Sequence, residues 1–129
     1  MTDVSEGRDP AFADKAALIV EDEFLIALDI ERVLESLGVA TIKTVGRNRD
    51  ALAALEQGRF DLAILDLKLN GDTSVPTATR ARELGIPFIF LTGASASTLP
   101  EGFRGTPVVA KPFDTETLIA ALRNAIGRG

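Results

Sequence analysis

The sequence predicts an α/β protein in which a five-stranded parallel sheet carries helices on both faces. Two observations support this fold class. Four short apolar runs, typical of strands buried on both faces, and a fifth expected strand at 41–45 recur along the 129 residues. Segments with the apolar spacing of amphipathic helices separate these runs, and such alternation is typical of parallel strands joined by crossover helices.

Each predicted element follows from local signals, taken in chain order. Residues 1–14 mix acidic, small and polar side chains, so we expect a flexible tail followed by one domain over 15–129. The predicted strands are 16–20, 41–45, 62–65, 86–91 and 107–110. The predicted helices cover 26–37, 49–57, a segment from 74 to about 84, a short mobile piece at 94–99, and a final helix from 114.

Capping residues set the expected ends of these helices. Apolar residues from Ile26 to Leu37 recur at helical spacing, and the glycines at 38, 58 and 85 are placed to end the first three helices. Asn48 and Asp114 are expected N-caps, and Ser74 with a proline two residues later marks the third helix start.

Composition excludes several functions. The chain has no cysteine and no histidine, which removes disulfides, thiolate or imidazole zinc sites and histidine acid–base chemistry. The net charge is −5 and basic residues form no run, so we expect no direct nucleic acid partner. No apolar run approaches about 18 residues and the start does not resemble a signal peptide, so we expect no membrane partner and a cytoplasmic location.

Polar residues follow four of the five predicted strands. They are Glu21, Asp22 and Glu23 after the first strand, Asp66 after the third, Thr92 after the fourth and Lys111 after the fifth. Ligands of open α/β sheets bind at this edge. A single polar residue at a strand end usually marks only the place where the strand meets water. A cluster of carboxylates is different, because like charges at 4 Å repel by about 4 kcal/mol at an effective dielectric of 20. The clustered carboxylates therefore need protons or a hard cation, magnesium first.

The same set of side chains suits phosphoryl transfer. A lysine ammonium such as Lys111 pairs with phosphoryl oxygens, and the Thr92 hydroxyl can donate to another. Aspartate is an established phosphoryl acceptor in enzymes that form acyl phosphates. Asp66, which is flanked by apolar strand residues, is the expected acceptor.

Four segments resemble the receiver domain of two-component response regulators in order and spacing. They are ALIVEDE (17–23), ILDLKLNG (64–71), FLTGAS (90–95) and VVAKPF (108–113). The resemblance covers about residues 15–128 and implies a flavodoxin-like receiver fold. The resemblance implies that Asp66 is phosphorylated and that magnesium is held by Glu21, Asp22, Asp66 and the Lys68 backbone carbonyl. It also implies that the Thr92 hydroxyl acts as a switch and that Lys111 pairs with the phosphoryl group. The bond between Lys111 and Pro112 is implied to be cis.

A narrower resemblance concerns residues 87–95 (PFIFLTGAS) and 69–74 (LNGDTS). These segments are similar to stand-alone receivers with a Pro-Phe-x-Phe-x-Thr-Gly signature, which are often paired with HWE-type histidine kinases. Val108 departs from the family pattern, because ordinary receivers carry an aromatic switch residue there; Phe103 or Phe90 substitutes only as a hypothesis. Ala94 and Ser95 depart from the glycine and tyrosine that this subgroup often has.

The sequence thus predicts a single-domain response regulator. It would take a phosphoryl group from a histidine kinase or phosphotransfer protein onto Asp66, with magnesium, and act through an unnamed downstream protein or as a phosphate sink. The expected output surface is segment 94–106 with the last helix. Such a protein is no enzyme for a separate substrate, since it catalyses only its own phosphorylation and dephosphorylation.

Two other functions fit the residues less well. A haloacid-dehalogenase-like phosphatase needs a second acid two residues after its nucleophile, where this chain has Lys68. A pseudo-receiver normally loses the acceptor or the acidic pair, and this chain keeps both. Phe24, beside the acidic residues, is expected to pack in the core.

Overall fold

A computed structural model describes residues 9–93 and 99–128 and has the predicted fold class. The strands are β1 (Ala16–Val20), β2 (Thr41–Val45), β3 (Leu62–Asp66), β4 (Lys68–Leu69), β5 (Asp72–Thr73), β6 (Phe88–Thr92) and β7 (Val108–Ala110). The helices are α1 (Phe24–Ser36), α2 (Asn48–Gln57), α3 (Val75–Glu83) and α4 (Thr115–Arg128). The short helix expected at 94–99 falls on residues outside these described ranges, apart from the last one. In the described ranges, every helix is too short or too polar to cross a membrane.

The main sheet has the strand order β2-β1-β3-β6-β7, and all its neighbouring strands run parallel. The chain builds outward from β1 to one edge with β2, and then from β3 to the other edge. The order therefore reverses between β1 and β3. A ligand crevice is expected outside the carboxyl ends of these two strands.

Side chains of the central strands alternate between two apolar layers. Ile19 and Ile64 lie in the layer that α1 and α4 cover, whereas Leu18 and Leu65 lie in the layer that α2 and α3 cover. All four side chains are fully buried. Burial on both faces explains why these strands are continuous apolar runs in the sequence.

Several of the expected helix-end signals are confirmed. The carboxylate of Asp114 accepts a hydrogen bond of 2.7 Å from the N–H of Thr117, which caps the first turn of α4. Gly38 and Gly85 follow the ends of α1 and α3. These ends depend on local chemistry alone, which is why the sequence predicts them.

A two-stranded hairpin made by β4 and β5 was not predicted. Leu69 pairs with Asp72, so the turn consists of Asn70 and Gly71, whose φ angles are 35° and 87°. A two-residue turn of the I′ type requires positive φ at both positions, and Asn-Gly is its preferred sequence. The signal was therefore present in the sequence, directly after the expected acceptor strand.

The prediction that Asn48 caps α2 is wrong. Asn48 is the first helical residue, and Arg47 occupies the cap position. The Asn48 amide instead donates to the carbonyl of Thr73, at 2.6 Å, and accepts from the hydroxyl of Thr77, also at 2.6 Å. These contacts join α2 to the hairpin and to α3, and residues so far apart in sequence give no local signal.

Residues 9–14 differ from the expected flexible tail. Phe12 is fully buried in the layer beneath α1 and α4. The N–H of Asp9 donates to the carbonyl of Leu37 at 3.0 Å, and its carboxylate lies 2.7 Å from the guanidinium of Arg123. One large apolar residue within a polar segment creates no periodic pattern, so the sequence does not reveal this packing.

Candidate functional site

The carboxyl ends of four parallel strands meet around one open cavity of about 490 Å³. Asp66 ends β3, Thr92 ends β6, and Lys111 directly follows β7. The lining residues are Asp22, Glu23, Asp66, Lys68, Asn70, Thr92, Gly93 and Lys111. This cavity lies at the crevice that the strand order predicts.

The register of the sheet sets the neighbours within this cavity. The last residue of β1 pairs with Leu65, so the next residues, Glu21 and Asp66, lie side by side. The N–H of Lys111 donates to the carbonyl of Thr92 at 2.8 Å, which extends the β6–β7 ladder by one bond. Backbone pairing therefore brings together groups that lie far apart in sequence.

Three carboxylates converge on one point at this edge. Glu21, Asp22 and Asp66 each offer an oxygen, and these oxygens all lie within 4.8 Å of one another. Glu21 and Asp66 are each only 3% exposed, whereas Asp22 is exposed. An all-oxygen site that is open on one side fits a hard divalent cation that keeps some of its water.

Lys111 faces this carboxylate group. Its Nζ lies 3.0 Å from Asp66 Oδ2, 3.5 Å from Glu21 Oε1 and 3.8 Å from Glu23 Oε1. Burial lowers the pKa of Lys111, but the hydrogen bond to Asp66 and the nearby negative charges outweigh burial and raise it overall. The ammonium therefore stays charged at neutral pH. The bond between Lys111 and Pro112 is cis, as the resemblance implies.

Glu21 has a raised pKa. Burial, with a further contribution from the negative charge of Asp66, raises the pKa of Glu21 to about 7. The N–H of Glu23, which donates to Glu21 at 3.1 Å, and the charge of Lys111 oppose this rise. A proton on Glu21 thus relieves part of the repulsion, and a bound cation would relieve it in the same way.

The Asp66 carboxylate is held at both oxygens. Oδ1 accepts a hydrogen bond of 3.3 Å from the N–H of Lys68, and Oδ2 accepts the bond from Lys111. Thr92 is buried beside it at the end of β6. The structure brings together all the residues that the sequence selects, namely Glu21, Asp22, Asp66, Lys68, Thr92 and Lys111.

Three residues around the site were missed or misplaced. Asn70, in the turn of the β4–β5 hairpin, lines the cavity, and the Asn-Gly pair was the signal that could have shown this turn. Glu23 has no separate role in the sequence-based prediction, but its carboxylate lies 3.8 Å from Lys111 Nζ. The expectation that Phe24 packs in the core is wrong, because this side chain is 76% exposed.

Position 108 carries valine in place of an aromatic residue, but an aromatic side chain lies beside it. Val108 is half-buried and pairs with Phe90 across β6 and β7. Phe103 comes from the turn before β7, is buried, and contacts Phe88 and Phe90 edge to face, at 6.0 and 5.6 Å between ring centres. Alternation along β6 puts Phe88 and Phe90 on the same face of the strand as Thr92.

Comparison with known proteins places this chain in one family. The family described as response regulator receiver domain matches residues 17–123. The chain belongs to this family, and it is therefore a receiver domain of two-component signalling.

Individual relatives agree with this assignment. The transcriptional regulatory protein PdtaR of Mycobacterium tuberculosis is 30% identical over 92% of this chain. The chain spans about half to three-fifths of the length of the curated relatives it matches. The solution structure of SdrG from Sphingomonas melonis Fr1 is similar over 92% of this chain and 99% of that one, with 39% identity and a TM-score of 0.79. The BeF3-activated SdrG of Pseudomonas melonis Fr1 matches over 88% of this chain and 98% of that one, with 41% identity and a TM-score of 0.77.

Proposed function

We propose that this receiver domain accepts a phosphoryl group on Asp66 from a cytoplasmic histidine kinase or phosphotransfer protein. One observation carries the proposal: the Asp66 carboxylate is buried between the ammonium of Lys111, at 3.0 Å, and the acidic pair formed by Glu21 and Asp22. A buried carboxylate held between a cation and a cluster of oxygen ligands is suited to receive a phosphoryl group.

The proposed transfer is an in-line displacement at phosphorus. A carboxylate oxygen of Asp66 forms the new O–P bond, the P–N bond of the donor phosphohistidine breaks, and its electron pair stays on the imidazole nitrogen. Glu21, Asp22 and Asp66, with the backbone carbonyl of Lys68, would hold Mg²⁺. This ion, when bound, neutralises negative charge on the phosphoryl oxygens.

The other residues act on the phosphoryl group directly. Lys111 already faces Asp66 and would pair with a phosphoryl oxygen once the acyl phosphate forms. Thr92 would donate its hydroxyl to another oxygen and so draw the end of β6 toward the site. A change from 1:99 to 99:1 between two conformations needs about 5.5 kcal/mol of differential stabilisation, and these new contacts would supply most of it.

Phosphorylation is tested directly with acetyl phosphate and magnesium, followed by intact-protein mass spectrometry. We expect one labile phosphoryl group per chain, and we expect Asp66→Asn to abolish it. Asp50→Asn, at an exposed aspartate in the first turn of α2, is the matched control and should label like the parent protein. Undiminished labelling of Asp66→Asn would remove Asp66 as the acceptor.

The switch is tested separately with Thr92→Ala. This variant should accept the phosphoryl group normally, because Thr92 is not the acceptor, but its beryllofluoride-induced changes in amide chemical shifts should be smaller. A response equal to that of the parent protein would show that Thr92 takes no part in the switch.

Output is proposed to occur through contact with a downstream protein or by draining phosphoryl groups from a kinase. A beryllofluoride-treated protein that captures a defined partner, when the untreated protein does not, supports the first role. Rapid loss of the phosphoryl group with net dephosphorylation of the donor supports the second.

A further inference from the structure

A second cavity lies at the amino ends of β6 and β7, on the edge of the sheet opposite Asp66. It has a volume of about 370 Å³ and is open to solvent. Its lining combines an apolar floor with two cations: Ile86, Pro87, Phe88 and Pro107 form much of the floor, and Arg82 and Arg104 stand at the rim. We call this the arginine cavity.

The two arginines of this cavity lack carboxylate partners of the kind that Arg80 and Arg123 have. Arg80 on the same helix bonds Glu56 at 2.7 Å, and Arg123 bonds Asp9. Over residues 9–93 and 99–128, the side chains of Arg82 and Arg104 take part in no hydrogen bond or ion pair, and no residue lining the cavity is acidic. Two positive charges therefore face one cavity without compensation.

Arg82 is nevertheless held in place. Its guanidinium carbon lies 4.2 Å from the ring centre of Phe103, which is itself buried against Phe88 and Phe90. A cation over an aromatic face is stabilised by the ring quadrupole, and the edges of the guanidinium keep their N–H donors. The Arg82 guanidinium is thus oriented before any ligand binds, and this lowers the entropy cost of binding.

We propose that the arginine cavity binds an acidic peptide segment of a partner protein, in which an apolar residue stands next to aspartate or glutamate. Guanidinium groups match carboxylates with two parallel hydrogen bonds, and the cavity supplies two such groups. The apolar floor gives an adjacent apolar side chain a place to be buried. The cavity volume lies near the lower end of the range for small-ligand pockets, which suits a short segment.

Positive charge here is unusual for this chain. The protein carries 19 acidic and 14 basic side chains, so its overall charge repels acidic partners. A pair of arginines without carboxylate partners favours such a partner at this cavity. Because the cavity is at the far edge of the sheet, its ligand leaves the phosphoacceptor site accessible, and this inference does not depend on the proposed function.

The proposal is tested by titrating ¹⁵N-labelled protein with the peptide Ac-Leu-Asp-Leu-Glu-NH2 and with its neutral counterpart Ac-Leu-Asn-Leu-Gln-NH2. We expect the acidic peptide to shift the amide signals of Gly85, Phe88 and Gly105, which line the cavity. Equal binding of the neutral peptide, or no shift of these amides at millimolar acidic peptide, would overturn the proposal.

Variants separate specific recognition from general attraction. Arg82→Gln and Arg104→Gln should each weaken binding about tenfold, the loss of one good charged contact. Arg32→Gln makes the same charge change on α1, outside the cavity, and should leave the affinity unchanged. Arg82→Lys keeps the positive charge and shows whether loss of the guanidinium contact with Phe103 alone weakens peptide binding. Dispersed amide spectra confirm that each variant is folded.

Two further experiments identify the class of ligand and show whether the arginine cavity binds independently of Asp66. Inorganic phosphate that shifts the same amides with equal affinity would indicate a simple anion site and overturn the peptide proposal. Asp66→Asn should bind the acidic peptide as the parent protein does. Binding that disappears in this variant would contradict the assignment to the opposite edge of the sheet.

Discussion

The raised pKa of Glu21 predicts that the metal-free protein loses stability as pH rises. The pKa is about 7 in the folded protein, against an ordinary value of 4.5. Between these values the folded state binds more protons than the unfolded state, so the free energy of unfolding falls with increasing pH. The loss begins above about pH 4.5 and is complete once Glu21 is ionised, above about pH 7.

The size of this effect follows from the same two values. The gap between 4.5 and about 7 corresponds to about 3 kcal/mol at most. For a chain of this length that is a fall of about 10 °C in the midpoint of thermal unfolding. The chain has no histidine or cysteine, so its α-amino group is the other group that ordinarily titrates near neutral pH.

Magnesium should reverse the loss. A cation bound by the ionised carboxylates stabilises the folded state by about 2.7 kcal/mol when its concentration is a hundred times its dissociation constant. We therefore expect magnesium to raise the unfolding midpoint strongly at pH 8 and weakly at pH 5. At the lower pH the cation must first displace the proton from Glu21.

Thermal unfolding followed by circular dichroism, at pH 5 to 8 with EDTA or with magnesium, measures both effects. Glu21→Gln should flatten the pH dependence. Glu35→Gln, at an exposed glutamate of α1, is the matched control and should keep it. A midpoint in EDTA that does not fall between pH 5 and 8, or a full pH response in Glu21→Gln, would refute the reasoning.

The remaining predictions concern stability and use paired substitutions. Phe12→Ala should lower the free energy of unfolding by about 3–5 kcal/mol because Phe12 is fully buried, whereas Phe24→Ala should change it by less than about 0.5 kcal/mol. Equal effects in urea denaturation would contradict the packing of residues 9–14. Gly71→Ala should cost about 1 kcal/mol because φ is positive there, but Gly127→Ala, inside α4, should stabilise slightly. A neutral Gly71→Ala would argue against the I′ turn.

Much of the site could be predicted from the sequence for one physical reason. Parallel strands deliver their carboxyl ends to a common edge, so residues after successive strands become neighbours without knowledge of any side-chain contact. Asp66, Thr92 and Lys111 each follow or end a short apolar run, and the structure places all three in one cavity. The motifs around them then resembled one family closely enough to imply a role for each residue.

Features that depend on distant neighbours could not be predicted in this way. Asn48 has the chemistry of a helix cap, but its partners Thr73 and Thr77 lie 25 and 29 residues further along the chain. Phe12 and Phe24 are the same residue type and each lies within two residues of an acidic side chain, yet one is fully buried and the other is 76% exposed. Local sequence gives both the same hydrophobicity, and only the packing of α1 and α4 distinguishes them.

By itself the sequence determined the strand–helix alternation, the edge of the sheet that carries the chemistry, and the carboxylates, lysine and threonine that lie there. The tertiary structure decided the raised pKa of Glu21 and the convergence of Arg82 and Arg104 on a second cavity. The reason is physical: periodicity and capping act over a few neighbouring residues. Burial and electrostatic coupling depend instead on which distant groups come within a few ångströms of one another.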